Sequence, residues 1–327
     1  MQAILSVTVP FFALVLAGYL AARRHILPES AIPGLNAFVL YFALPCMLFR
    51  FGNNTPVLEL LNPTAFGVWL ISALLIVLVT VAFSLNSRVR LKDASFGALV
   101  AAFPNTGFMG LPLMAALMGP AATAPMVTTM LVDLFVTSSL CIALAQAATA
   151  ALDHGAGARA AAVRALRGAL SNPLPWAIAL GALGSAIGFK LTGPAEVVVR
   201  LLAEAATPVA LFTIGAVLYR AGQHVHARTA PLDYVPVALV KLFLHPLLVF
   251  MLAMAARTLG APMSGTQVVV LTLTAALPSA SNVSLLAERF GADNGRIARI
   301  IMTSTVLAFA SFTTLAWVFG VQQPPGG

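Results

Sequence analysis

Ten stretches of this chain are apolar over about twenty residues, the length of helix needed to cross a bilayer. Their limits are 2–22, 31–50, 64–86, 93–117, 123–150, 173–192, 197–220, 232–257, 265–288 and 297–320. Short polar or basic segments separate them, and the pattern predicts an all-α membrane protein with ten transmembrane helices. Two of the stretches carry polar and helix-breaking residues at their centres. In 93–117 these are Pro104-Asn105-Thr106-Gly107, followed by Gly110 and Pro112; in 265–288 they are Pro278-Ser279-Ala280-Ser281-Asn282.

Proline lacks the amide N–H and its ring clashes with the preceding turn, so both helices are expected to break, at Pro104 and at Pro278. In hydrocarbon such a break is tolerated only where it is buried in protein or lines a cavity. The two breaks are related. A shift of 174 residues lays Ala101-Ala102-Phe103-Pro104 on Ala275-Ala276-Leu277-Pro278 and carries Thr129 onto Thr303, Val132 onto Val306 and Phe135 onto Phe309. Pro45 in the second span likewise resembles Pro208 in the seventh. Ten spans in two copies give five per copy, and an odd number forces the second copy to enter the membrane inverted. The expected organisation is a 5+5 inverted repeat: residues 1–150, a link at 151–171, and residues 172–327. Val163, Arg164, Leu166 and Arg167 in the link suit either a short helix on the membrane surface or a solvated loop. The tail from Gln322 to Gly327 has the composition of a disordered segment.

Composition agrees with a membrane protein: 60% of the 327 residues are hydrophobic and 9% are charged. The net charge of +8 is informative through its distribution. Thirteen of the 18 Lys and Arg residues follow spans 1, 3, 5, 7 and 9, among them Arg23, Arg88, Arg167, Arg228 and Arg296. The opposite side carries Arg50, Lys190, Arg200 and Arg257. The positive-inside rule puts the basic segments, with the link, in the cytoplasm, and both termini in the periplasm of a bacterial inner membrane. The basic balance is thus an orientation signal, and nucleic acid is excluded as a partner. Trp69, Trp176 and Trp317 lie near span ends, where interfacial aromatics are expected. Cys46 and Cys141 occupy separate spans, which argues against a disulfide or a metal site.

Gly18-Tyr19, Leu40-Tyr41-Phe42-Ala43-Leu44-Pro45, the run from Pro104 to Pro112 (Pro-Asn-Thr-Gly-Phe-Met-Gly-Leu-Pro) and Ala276-Leu277-Pro278-Ser279-Ala280-Ser281-Asn282 resemble motifs of the auxin efflux carrier family. That family includes plant auxin exporters and bacterial malonate and malate carriers, and the resemblance covers the whole chain. It implies that helices 4 and 9 cross at their broken centres. It also implies a mobile transport domain of spans 3–5 and 8–10 moving against a scaffold of spans 1, 2, 6 and 7, usually in a homodimer. The long cytoplasmic loop of the plant carriers is missing. A looser resemblance extends to the sodium–bile acid symporters, which share the crossed helices.

The breaks have a chemistry suited to anions. A half-helix starting after Asn105, and another after Pro278, would present unpaired N–H groups and a positive dipole end at mid-membrane. Asn105, Thr106, Gly107, Ser279, Ser281 and Asn282 are therefore the candidate substrate contacts, with capping of their own helices as the alternative role. Asp133 and Lys241 lie near mid-span, where a charge is a functional candidate by default. They could form an ion pair or couple transport to an ion, H+ or Na+, and His245, one turn from Lys241, could titrate. No zinc-protease or phosphate-loop motif occurs and no cofactor is implied, so an enzyme is not expected. The function expected is secondary transport of small organic anions, mono- or dicarboxylates such as malonate or malate. The alternatives are a sodium-coupled symporter of the bile-acid type, an exporter of auxin-like aromatic carboxylates, an intramembrane enzyme and a non-transporting sensor.

Overall fold

A computed structural model of the chain describes residues 2–55, 62–153, 173–223 and 230–321. Most of the 151–171 link, including its proposed surface helix, and the tail from Gln322 lie outside the described residues. The described residues are helical, with no β-strand among them. In chain order the helices are α1 (Gln2–Arg23), α2 (Ala31–Asn54), α3 (Pro63–Ser84), α4 (Leu91–Ala102), α5 (Thr106–Met118) and α6 (Pro120–Ala147). After the link come α7 (Pro173–Ala186), α8 (Gly193–Gln223), α9 (Pro231–Thr258), α10 (Gly265–Ala275), α11 (Val283–Arg289) and α12 (Asn294–Val318). Seven of them are long and apolar enough to cross a membrane, and α5, α7 and α10 are shorter apolar helices. The fourth and ninth apolar stretches are each divided, into α4 with α5 and α10 with α11.

Local chemistry sets several boundaries. Asn62 accepts the Ala65 N–H at 2.9 Å ahead of Pro63, the first residue of α3. Ser264 and Gln267 close a capping box on α10, so two otherwise orphaned donors are satisfied. Gly188 and Gly193, at φ 68° and 66°, turn the chain between α7 and α8. Many large apolar side chains on the long helices stay exposed, such as Leu16, Leu78 and Val306. In water that surface would demand a partner; against lipid it needs none.

Two helix pairs approach closely enough to touch backbone to backbone. In α1 and α8, a Cβ at Gly18 would overlap the Phe212 carbonyl, and one at Gly215 would overlap the Val15 carbonyl. In α7 and α2, a Cβ at Gly181 would overlap the Phe49 carbonyl, and one at Gly52 would crowd the Ile178 carbonyl. Each of these positions in the first half stands 163 residues before its counterpart in the second: Val15 and Ile178, Gly18 and Gly181, Phe49 and Phe212, Gly52 and Gly215. Pro45 and Pro208 share the same offset. Helices in lipid associate by close packing and not by the hydrophobic effect, so small residues mark such contacts.

The helices α3 to α6 and α9 to α12 pack chiefly with one another, as do α1, α2, α7 and α8. The first group is tied at one end by Arg296, which is 2% exposed and so is not the free loop cation its position in the sequence suggests. Its Nε donates to the Asp233 carbonyl at 2.7 Å, Nη1 to the Asp93 carbonyl at 2.9 Å and Nη2 to Ser84 Oγ at 3.4 Å. Asp293 accepts the Arg296 N–H and gives its own N–H to the Asp93 carboxylate. One guanidinium thus joins α3, α4, α9 and α12, and Gly97, lacking a side chain, leaves room for it.

Replacing Gly18 or Gly181 by Ala is expected to lower stability by about 1–3 kcal/mol, the range for overpacking a tight contact. Gly67→Ala, in a helix with nothing within 4 Å of the added carbon, should be neutral or slightly stabilising. Melting curves of the three variants in detergent check the contrast.

Candidate functional site

The breaks meet. Phe103, Pro104 and Asn105 separate α4 from α5, and the chain is likewise unwound between α10 and α11. The two segments run antiparallel, with Pro104 and Ser279 as an isolated bridge pair. The Asn105 N–H donates to the Pro278 carbonyl at 2.8 Å, and the Ala280 N–H donates to the Phe103 carbonyl at 3.0 Å. Each break therefore satisfies orphaned groups of the other, as buried backbone requires. Gly110 permits the approach: a Cβ there would strike Leu277 and Met126.

The crossing uses up some of the donors expected to face a ligand. Thr106 N–H turns back to the Pro104 carbonyl at 2.8 Å, and Ser279 N–H is held by Ser304 Oγ at 3.2 Å. Among the described residues, the N–H groups of Gly107 and Phe108 on one side, and of Ser281 and Asn282 on the other, have no acceptor. The hydroxyls of Thr106 and Ser279 are buried without any hydrogen bond. Neither the Asn105 nor the Asn282 side chain caps its own half-helix. Asn105, Thr106, Ser279 and Ser281 are buried, and Gly107 and Asn282 partly so. The six residues singled out in the sequence therefore lie on, or directly beside, the two segments that meet here, wholly or partly buried.

A second polar cluster lies beside the crossing. Asp133 and Lys241 are both fully buried, but no direct ion pair forms, because no amine–carboxylate contact between them falls within 4.0 Å. Asp133 Oδ1 accepts Trp69 Nε1 at 3.0 Å and Thr137 Oγ1 at 3.1 Å, and its Oδ2 has no partner. Lys241 Nζ donates to the Ala275 carbonyl at 2.6 Å and meets His245 Nδ1 at 3.2 Å. The His245 ring lies 5.2 Å from the Trp69 ring. Asp133, Trp69, His245 and Lys241 thus form a chain. Trp69 is wholly buried within it and is not an interfacial aromatic, whereas Trp176 and Trp317 are half exposed.

Ala275 ends α10 at the break, so Lys241 caps the carbonyl end of that half-helix, where the dipole is negative. Asp133 and Lys241 each sit in a single π-helical turn, Asp133–Thr137 and Val240–Leu244. Such turns often mark functional positions. His245 precedes Pro246 without a break, since α9 runs on to Thr258. The sequence offered no signal for Trp69 as a site residue, because its partner lies 64 residues away. Cys46 and Cys141 are free thiols.

The geometry can be set beside known proteins. The family model described as membrane transport protein matches residues 3–318. A protein of Rhizobium meliloti (strain 1021) named "Putative malonate transporter" is 29% identical over 97% of this chain and 96% of its own length. The "Uncharacterized transporter YfdV" of Escherichia coli (strain K12) is 23% identical over 95% of each.

Lys241→Met removes the donor that meets the Ala275 carbonyl, and an unmet buried acceptor costs about 1–3 kcal/mol. Adding Asp133→Asn removes the charge left without a cation and retains an oxygen for Trp69 and Thr137. The double variant is therefore expected to be more stable than the sum of the single losses by about 0.5–3 kcal/mol in a double-mutant cycle. Strict additivity in detergent unfolding would show that the two charges do not interact.

Proposed function

The chain belongs to the membrane transport protein family, and from that premise we propose that it is a secondary active transporter of small organic anions. The substrates proposed are mono- or dicarboxylates such as malonate or malate. The observation that carries the reading is the crossing, where free N–H groups, two unbonded hydroxyls and two uncommitted carboxamides gather without a fixed negative charge. Donors alone, held in place before the ligand arrives, suit a carboxylate. The N-terminus of α5 adds a favourable dipole. On the other side the free donors are those of Ser281 and Asn282, just ahead of α11, whose own first N–H groups bond back to Ala280 and Ser281.

In this reading the molecule has ten spans in a 5+5 inverted repeat, with α4–α5 and α10–α11 as counterparts. The glycine contacts repeated at one offset support it, as does the 174-residue match of the breaks. The transport domain is α3 to α6 with α9 to α12, and it moves elevator-fashion against a scaffold of α1, α2, α7 and α8 in a homodimer. Dense packing within each group supports the division. The protein resides in a bacterial inner membrane with both termini periplasmic, in keeping with its basic residues. Protons are the proposed coupling ion, taken up and released by the buried Asp133 carboxyl. Its unbonded Oδ2 is free to exchange a proton when the site opens to water.

Asn105→Ala and Asn282→Ala are each expected to weaken malonate binding by about 1.5–3 kcal/mol, the range for a hydrogen bond to a charged group. That is roughly ten- to hundredfold in affinity. Folding should change less, because neither amide caps its helix. Calorimetry and melting curves on the same variants separate the two effects, and unchanged affinity in both variants would move the site elsewhere. In proteoliposomes, uptake should follow an imposed pH gradient. Uptake that follows sodium instead would favour the bile-acid type of symporter.

A further inference from the structure

Away from the crossing, a cavity of about 430 Å³ opens where α2 ends, α7 ends and α8 begins. Its floor is fixed by the tightest helix contact of that region. Gly52, Gly181 and Gly184 bring α2 and α7 together, and the space opens just beyond them. Arg50, Lys190, Asn53 and Asn54 line it, with Phe49 and Phe189 as apolar wall. Its volume is within the range of small-molecule sites.

The charges around it are unevenly used. Glu196 also lines the cavity, but it faces Arg200 at 3.8 Å, and Arg200 holds Glu204 at 3.3 Å as well. Among the described residues, neither Arg50 nor Lys190 has a carboxylate within 4.0 Å. The Asn53 Oδ1 is buried against Gly184 without a hydrogen bond, so its amide nitrogen is the end left for the cavity. This end of the molecule is poor in cations, yet two of its four converge here and, among the described residues, neither is paired with a carboxylate.

We propose that this cavity is a second anion site, separate from the helix crossing, which holds an oxyanion through Arg50, Lys190 and the Asn53 amide. Arg50 supplies a planar fork and Lys190 a mobile point charge, the pairing suited to phosphate or a dicarboxylate. Two sources share that chemistry. A free dianion can enter from water, and the phosphate of an anionic lipid can enter sideways, its acyl chains lying on Phe49 and Phe189 at the interface. The proposal does not depend on the transport reading, because none of its residues belongs to the crossing.

The test uses the full-length protein purified in detergent and stripped of lipid, with melting temperature and calorimetry as readouts. Inorganic phosphate and short-chain phosphatidylglycerol are the probes, and phosphatidylcholine is the control. At least one anionic probe should raise the melting temperature of the parent, as a ligand of the folded state must. A shift with phosphate identifies a free anion, and a shift with phosphatidylglycerol alone identifies a headgroup; either supports the site. Arg50→Gln with Lys190→Gln should weaken that binding by about tenfold or more, the order lost with a charge-assisted hydrogen bond. The exchange Arg50→Lys with Lys190→Arg should keep most of it and guards against a folding defect. Asn105→Ala should leave the supporting shift intact. If no anionic probe stabilises the parent, or the double Gln variant binds as well as the parent, the proposal is overturned. A shift lost in Asn105→Ala but retained in the double Gln variant would assign the binding to the crossing and overturn it equally.

Discussion

A peptide group buried away from water has to find a partner, and the centre of this molecule is built around that requirement. Two helices stop halfway, which strands carbonyls at the end of each first half and N–H groups at the start of each second half. The strands of chain between the halves lie antiparallel and exchange two hydrogen bonds, Asn105 N–H to Pro278 and Ala280 N–H to Phe103. Neither break is tolerable alone, since its backbone would face apolar side chains. Together they leave a small surplus of donors, on Gly107, Phe108, Ser281 and Asn282, and the proposed anion site rests on that surplus.

The negative ends of the half-helices are met differently. Lys241 reaches the Ala275 carbonyl at 2.6 Å, so a buried cation completes α10 where the next turn of helix would have been. Its counter-charge, Asp133, is held one step removed by Trp69 and Thr137. The Lys241 and Asp133 side chains make no direct contact, and Asp133 Oδ2 is left unbonded. Lys241 supports the crossing directly, through the Ala275 carbonyl.

Rigidity around the crossing comes from contacts of two kinds. In one helix group Arg296 binds carbonyls or hydroxyls on three other helices, which fixes their mutual positions at one end. In the other group glycine lets backbones touch at Gly18, Gly52, Gly181 and Gly215. Directed hydrogen bonds resist rotation of one helix against its neighbours, whereas glycine contacts resist separation. The proposed elevator motion would move two bodies stiffened in these ways without either losing its internal packing.

The sequence by itself determined the membrane class, the positions of the helices within a few residues, the two breaks and their kinship. All of these follow from hydrophobic runs and from what proline does to a helix, which are local properties. The candidate contacts from Asn105 to Asn282 were legible for the same reason, because polar residues at mid-span stand out against an apolar background. Only the tertiary structure decided which donors remain free, since Thr106 and Ser279 lose their N–H groups to partners that no local pattern names. It also decided that Trp69 belongs to the interior cluster, that Asp133 and Lys241 do not touch, and that Arg296 is a buried tie. Each of those depends on which helix faces which across the fold, and periodicity along one helix carries no information about the identity of its neighbour.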